Sequence, residues 1–97
     1  MANSYSVDLL SNASATGNAV QWSGGKGTIS AVGTFSGATV ALQYLGPDGT
    51  TWLNAGTDCT LTANGGGNFE LPPGQIRASV SGGTPSALFS RAARVLV

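Results

Sequence analysis

The side chains best suited to acid–base or nucleophilic work are the carboxylates Asp8, Asp48, Asp58 and Glu70 and a single thiol, Cys59. No histidine accompanies them. That removes the Ser-His-Asp and Cys-His nucleophile arrangements and the commonest transition-metal ligand together. Glycoside hydrolysis would need two carboxyl groups held about 5 to 10 Å apart. Asp48 falls in Gly46-Pro47-Asp48-Gly49, where a turn favours Asp for backbone reasons; Asp58 borders a strand pattern; Glu70 alternates with Phe69 and Leu71 as an outward residue does. Asp48-Gly49 lacks the rest of a calcium-loop series. Gly24-Gly25-Lys26-Gly27 lacks the hydroxyl residue and the helix that a phosphate loop requires after its lysine. Cys59 reads as a small strand residue with nothing to activate it. The sequence therefore predicts no catalytic residue, no metal and no cofactor, and an enzyme is not expected.

Aromatic rings offer a different chemistry, because Trp22, Tyr44 and Trp52 could stack on sugars from the surface of a β scaffold. In a chain of 97 residues, however, the core is small and needs its aromatic residues inside. Core packing is the preferred reading, and a carbohydrate-binding module is the alternative.

Charge excludes other classes. Charged residues make up 8% of the chain, and four basic residues balance four acidic ones, against about 25% charged in ordinary domains. Lys26, Arg77, Arg91 and Arg94 are too few and too scattered to neutralise a phosphate backbone, so no nucleic-acid partner is expected. MANSYSVDLL has no basic region before its apolar patch, and no run approaches the 18 or so apolar residues that a membrane helix needs. Neither export signal nor membrane span is predicted. With one cysteine, no disulfide can form within the chain. A polar surface without net charge resists self-association poorly, which suits an assembly subunit.

The elements that position these residues are read from alternation and turn chemistry. Ile29, Ala31, Gly33 and Phe35 share one face of a strand, as do Val40, Leu42 and Tyr44 in the next, with Ser36-Gly37 reversing the chain between them. Gly46-Pro47-Asp48-Gly49 turns again before Trp52-Leu53, and the whole stretch reads as a meander. Further strands are expected over 57–63, 69–71 and 76–80, fenced by 64–68, Pro72-Pro73-Gly74 and 82–85. The tail Ala87 to Val97 fits helix or strand; a strand pairing with the first is favoured, which sends Arg91 and Arg94 to opposite faces.

The predicted class is all-β: a compact antiparallel β-sandwich or jelly-roll-like barrel of about seven to eight short strands, spanning 26–97. Residues 1–25, rich in Ser, Asn, Ala and Gly, are expected to form an extended N-terminal arm. Tyr5, Val7 and Leu9 would pair there with an edge supplied by a partner. With Trp22, Arg91 and Arg94, they are the candidate interface residues.

The run Gly33-Thr-Phe-Ser-Gly-Ala-Thr-Val-Ala-Leu-Gln-Tyr44, then Pro47 to Trp52, Phe69-Glu-Leu-Pro-Pro-Gly74 and Ile76 to Gly82, resembles small virion proteins of tailed bacteriophages. Capsid decoration, or cement, proteins are the nearest kind. The resemblance covers residues 26–97 and carries over no functional residue. It implies a β-rich homotrimer on the capsid exterior, assembled in the host bacterial cytoplasm, that binds across neighbouring major capsid subunits. The same scaffold would serve at a neck, tail or fibre.

Overall fold

A computed structural model describes residues 6–94. Nine strands run through them: β1 (Ser6–Ala13), β2 (Val20–Trp22), β3 (Gly25–Thr34), β4 (Thr39–Leu45), β5 (Trp52–Asn54), β6 (Thr60–Leu61), β7 (Gly65–Leu71), β8 (Gly74–Ser81) and β9 (Ser86–Arg94). All pairings are antiparallel. One sheet has the order β1-β9-β3-β7, and the other β2-β8-β4-β5 with β6 also on β4. The predicted sandwich is thus observed, and the tail, as far as Arg94, is the predicted strand, paired with the first.

Alternation builds the core where it was strongest. Ile29 and Ala31 of β3, Val40 and Leu42 of β4, and Ile76 and Ala78 of β8 all point inward and are buried. Leu88 and Ala92 join them from β9, Phe69 and Leu71 from β7. The slab so formed measures 36 × 35 × 21 Å, thin because the two sheets are separated by one layer of interdigitated side chains.

Three expectations are corrected. First, the described part of the proposed arm belongs to the sandwich. β1 pairs with β9 of the same chain and β2 with β8, because Leu9, Leu10 and Trp22 are buried there. Bulges between Asp8 and Leu10 and between Leu10 and Ala13 let the consecutive Leu9 and Leu10 both turn inward. Second, residues 33–56 are not a simple meander. The turn at Ser36 (φ 47°) and Gly37 (φ 88°), closed by Ala38 N–H donating to the Phe35 carbonyl at 2.8 Å, carries the chain from one sheet to the other. Only β4 and β5 make a hairpin.

Third, the strand expected over 57–63 is confined to Thr60–Leu61, while the glycine run expected as a turn is the start of β7. One feature explains both. β5 and β6 lie along the same side of β4, interrupted at Gly56–Cys59, where Thr57–Cys59 forms a single 3-10 turn. That excursion drops Cys59 into the core and lays the Asp58 carbonyl over Gly67 of β7; a Cβ built on Gly67 would lie 1.7 Å from that oxygen. Gly67 lets the excursion close one open side of the sandwich.

Candidate interaction surfaces

The carboxylates are dispersed by this topology. Asp8 on β1 and Glu70 on β7 occupy opposite edges of the first sheet, with two strands between them. At about 4.8 Å per strand step their backbones stand some 14 Å apart or more, beyond a hydrolytic pair. Asp48 sits in the β4–β5 turn and Asp58 in the excursion. Among the described residues, no group of three His, Cys, Asp or Glu side chains could hold a metal ion. The Cys59 thiol is buried and donates to the Asn68 carbonyl at 3.3 Å. Burial, with Asp58 adding to it, pushes the thiol pKa up, away from the reactive thiolate.

Asp48 acts on the backbone. Its carboxylate accepts the Thr51 hydroxyl and the N–H groups of Thr50 (3.0 Å) and Thr51 (2.9 Å). Those bonds, the Thr51 hydroxyl first, hold its pKa well below the usual carboxylate range. The depressed pKa means that the turn is fully supported above the ordinary Asp pKa and loses that support only as pH falls through the lower, folded value. An NMR carboxyl titration should find Asp48 taking up its proton well below the usual carboxylate range. Asp48→Ala should speed amide exchange at Thr50 and Thr51 and flatten the acid dependence of hairpin stability; unchanged exchange would count against the cap.

The rings do not make a sugar platform. Trp22 is fully buried and packs on Phe69, ring centroids 5.0 Å apart at 56°. Tyr44 lies on the core-facing row of β4, and Trp52, registered with Leu45, lies on the opposite face of that sheet. The Arg77 guanidinium covers the Trp52 ring at 4.4 Å and donates from Nε to Gln43 Oε1 at 2.9 Å, while Gln43 donates to Asn54 at 2.9 Å. Trp52 is thereby tied into a polar ladder on the outer face of the second sheet.

Of the candidate interface residues, Leu9 and Trp22 are core, Val7 is half-buried against the core, and Tyr5 lies outside the described residues. Arg91 and Arg94 are exposed. Arg91 is on the outer face of the first sheet, its Nε 2.8 Å from Asp8 Oδ1. Arg94 shares the alternate parity of Leu88 and Ala92, at the end of the strand beside Gly25. Opposite-face placement of the two arginines thus holds.

The structure adds two residues that the sequence reading missed as surface candidates. Val32 (47% exposed) and Phe89 (46%) are register partners on β3 and β9, on the same outer face as Arg91. With Asp8, Ser30 and Arg91 they line a shallow groove. At its end the register slips between Val32 and Thr34, where Gly33 (φ 140°) faces Ala87, which is itself left-handed (φ 54°). The missed signal is parity: Phe89 is in step with Arg91, so a strand that exposes Arg91 exposes Phe89 as well.

Compared with known proteins, the chain matches no family model and no curated protein sequence. Its fold does match a solved structure. The crystal structure of the SPBc2 prophage-derived protein YomS superposes with a TM-score of 0.64 over 94% of this chain and 90% of that one, at 9% sequence identity. The two share a fold.

Proposed function

We propose that this chain is a structural subunit of a bacteriophage particle, which decorates and stabilises the capsid by binding across neighbouring major capsid subunits. The observation that carries the reading is the fold match over nearly the whole of both chains to a prophage-derived protein. The virion-protein resemblance of residues 26–97 points the same way. The broad 36 × 35 Å faces of the slab suit attachment by area, with no catalytic group required.

Such a subunit stabilises by linkage. It binds the assembled lattice and not the dissociated coat protein, so shell disassembly must also break its contacts. Each contact can be weak, because repetition on a symmetric shell and self-association of the subunit multiply it. A nearly uncharged surface makes those contacts insensitive to salt. The sugar-binding alternative finds no support in the rings, since Trp22 is buried and Trp52 is covered by Arg77.

The test is to image purified particles of the phage that encodes the chain by cryo-electron microscopy. Density for the slab on the capsid exterior, bridging coat subunits, is the expected result. Density at the neck, tail or fibre would keep the structural role and overturn decoration, and absence from the particle would overturn both.

A further inference from the structure

The outer face of the first sheet carries half of the chain's charged residues and two of the three large hydrophobic side chains exposed among the described residues. Asp8 and Arg91 are register partners at one position, and Lys26 and Glu70 are partners at another. Two acidic and two basic groups therefore balance on one face. Such a face attracts neither a strongly basic nor a strongly acidic partner, and it does not repel a copy of itself.

The apolar part is local. Val32 and Phe89 sit directly opposite each other, so together they form one exposed patch. Phe89 is followed, two residues along the same face, by Arg91. An exposed aromatic ring beside an arginine, bordered by polar side chains, is the composition of an interface core. Four strands of seven to ten residues, β1, β9, β3 and β7, carry this face side by side.

We propose that two copies of this chain associate face to face through the outer surface of the first sheet, each Phe89–Val32 patch covering the other and each Arg91 reaching the partner's Asp8. The contact is two-fold and self-complementary, where the virion-protein resemblance implies a trimer. It does not depend on attachment to any particle. The intrachain Asp8–Arg91 pair, whose side chains are 63% and 61% exposed, is weak alone. Two such pairs brought together form a four-charge network shielded from water.

Sedimentation velocity over a concentration series tests this on the full chain. The wild type should reach a dimer. Phe89→Asp should weaken the dimer at least a hundredfold, with a circular dichroism melt close to wild type because the ring is exposed. The combined Val32→Thr and Phe89→Thr variant keeps strand propensity and should dissociate likewise. The double exchange Asp8→Arg with Arg91→Asp should keep the dimer, and Leu53→Asp on the second sheet should leave it intact. A monomeric or trimeric wild type overturns the proposal, as does a dimer that survives both Phe89 variants. So does a monomer whose Phe89→Asp form loses attachment to phage particles, which would assign the patch to the coat. Imaging of particles is unaffected by any of these results, so the decoration reading stands or falls separately.

Discussion

Trp22→Ala is expected to remove about 3 to 5 kcal/mol of folding stability, the cost of deleting a large aromatic side chain from a core that cannot collapse around the gap. Trp22 is wholly buried, although its strand is only three residues long and lies at a sheet edge. Its ring meets Phe69 from the other sheet and passes over Gly27, where an added Cβ would lie 2.8 Å from the indole and 2.7 Å from the Phe69 ring. The ring is therefore the cross-tie between the two sheets at that end of the slab. A domain of this size is stable by roughly 5 to 15 kcal/mol in total, so the variant should sit near the edge of folding. Urea unfolding followed by far-ultraviolet circular dichroism measures it independently of the lost fluorophore, and Trp22→Phe should recover part of the loss. A loss below about 1 kcal/mol would mean that the ring is not the packed cross-tie described here.

That role was not legible locally. Trp22 stands in a stretch of Ser, Asn, Ala and Gly, and the short segment Val20-Gln21-Trp22 says nothing about its partner. The partner strand, β8, begins some fifty residues later, and the ring it meets lies on β7. The same holds for Leu9 and Leu10, which alternation assigns to opposite faces and two bulges bring to one. Where a strand lies between two others, the period was sufficient: Ile29 and Ala31, Val40 and Leu42, Ile76 and Ala78 are all core. The first and last strands could be matched because both alternate, but their register, which sets Asp8 opposite Arg91 across 83 positions, leaves no local trace. The Val32–Phe89 patch emerges only once β3 and β9 are known to be neighbours, since an exposed hydrophobic residue has no meaning until its partner is found.

The glycine run of residues 65–67 shows how local signals can point the wrong way. Three consecutive glycines read as a turn, yet they open an edge strand. Gly67 is required there because another part of the backbone approaches it, and proximity of that kind leaves no periodic trace.

Gly67→Ala should consequently unseat the 56–59 excursion. The added Cβ would lie 1.7 Å from the Asp58 carbonyl oxygen and 2.7 Å from its carbon, and a backbone group cannot rotate away as a flexible side chain would. β7 is held in register by β3 along its whole length, from Gly65 against Ala31 to Leu71 against Gly25, so the excursion is the part that must move. Overpacking of this kind costs about 1 to 3 kcal/mol. Its effect should be concentrated where the excursion is anchored, at Cys59, which is 1% exposed and hydrogen-bonded to Asn68. In the wild type an aromatic disulfide reagent should label Cys59 only through rare opening, and a raised thiol pKa slows it further. In the variant the labelling rate at neutral pH should rise at least tenfold, since each 1.4 kcal/mol lost from the closed state multiplies the open population by about ten. Gly65→Ala is the control, because its Cβ would meet nothing nearer than 3.8 Å and should leave both stability and labelling near wild type. If Gly67→Ala labels as slowly as the wild type at an unchanged unfolding midpoint, the Asp58 carbonyl does not press on β7, and the sandwich is closed on that side by something other than the excursion.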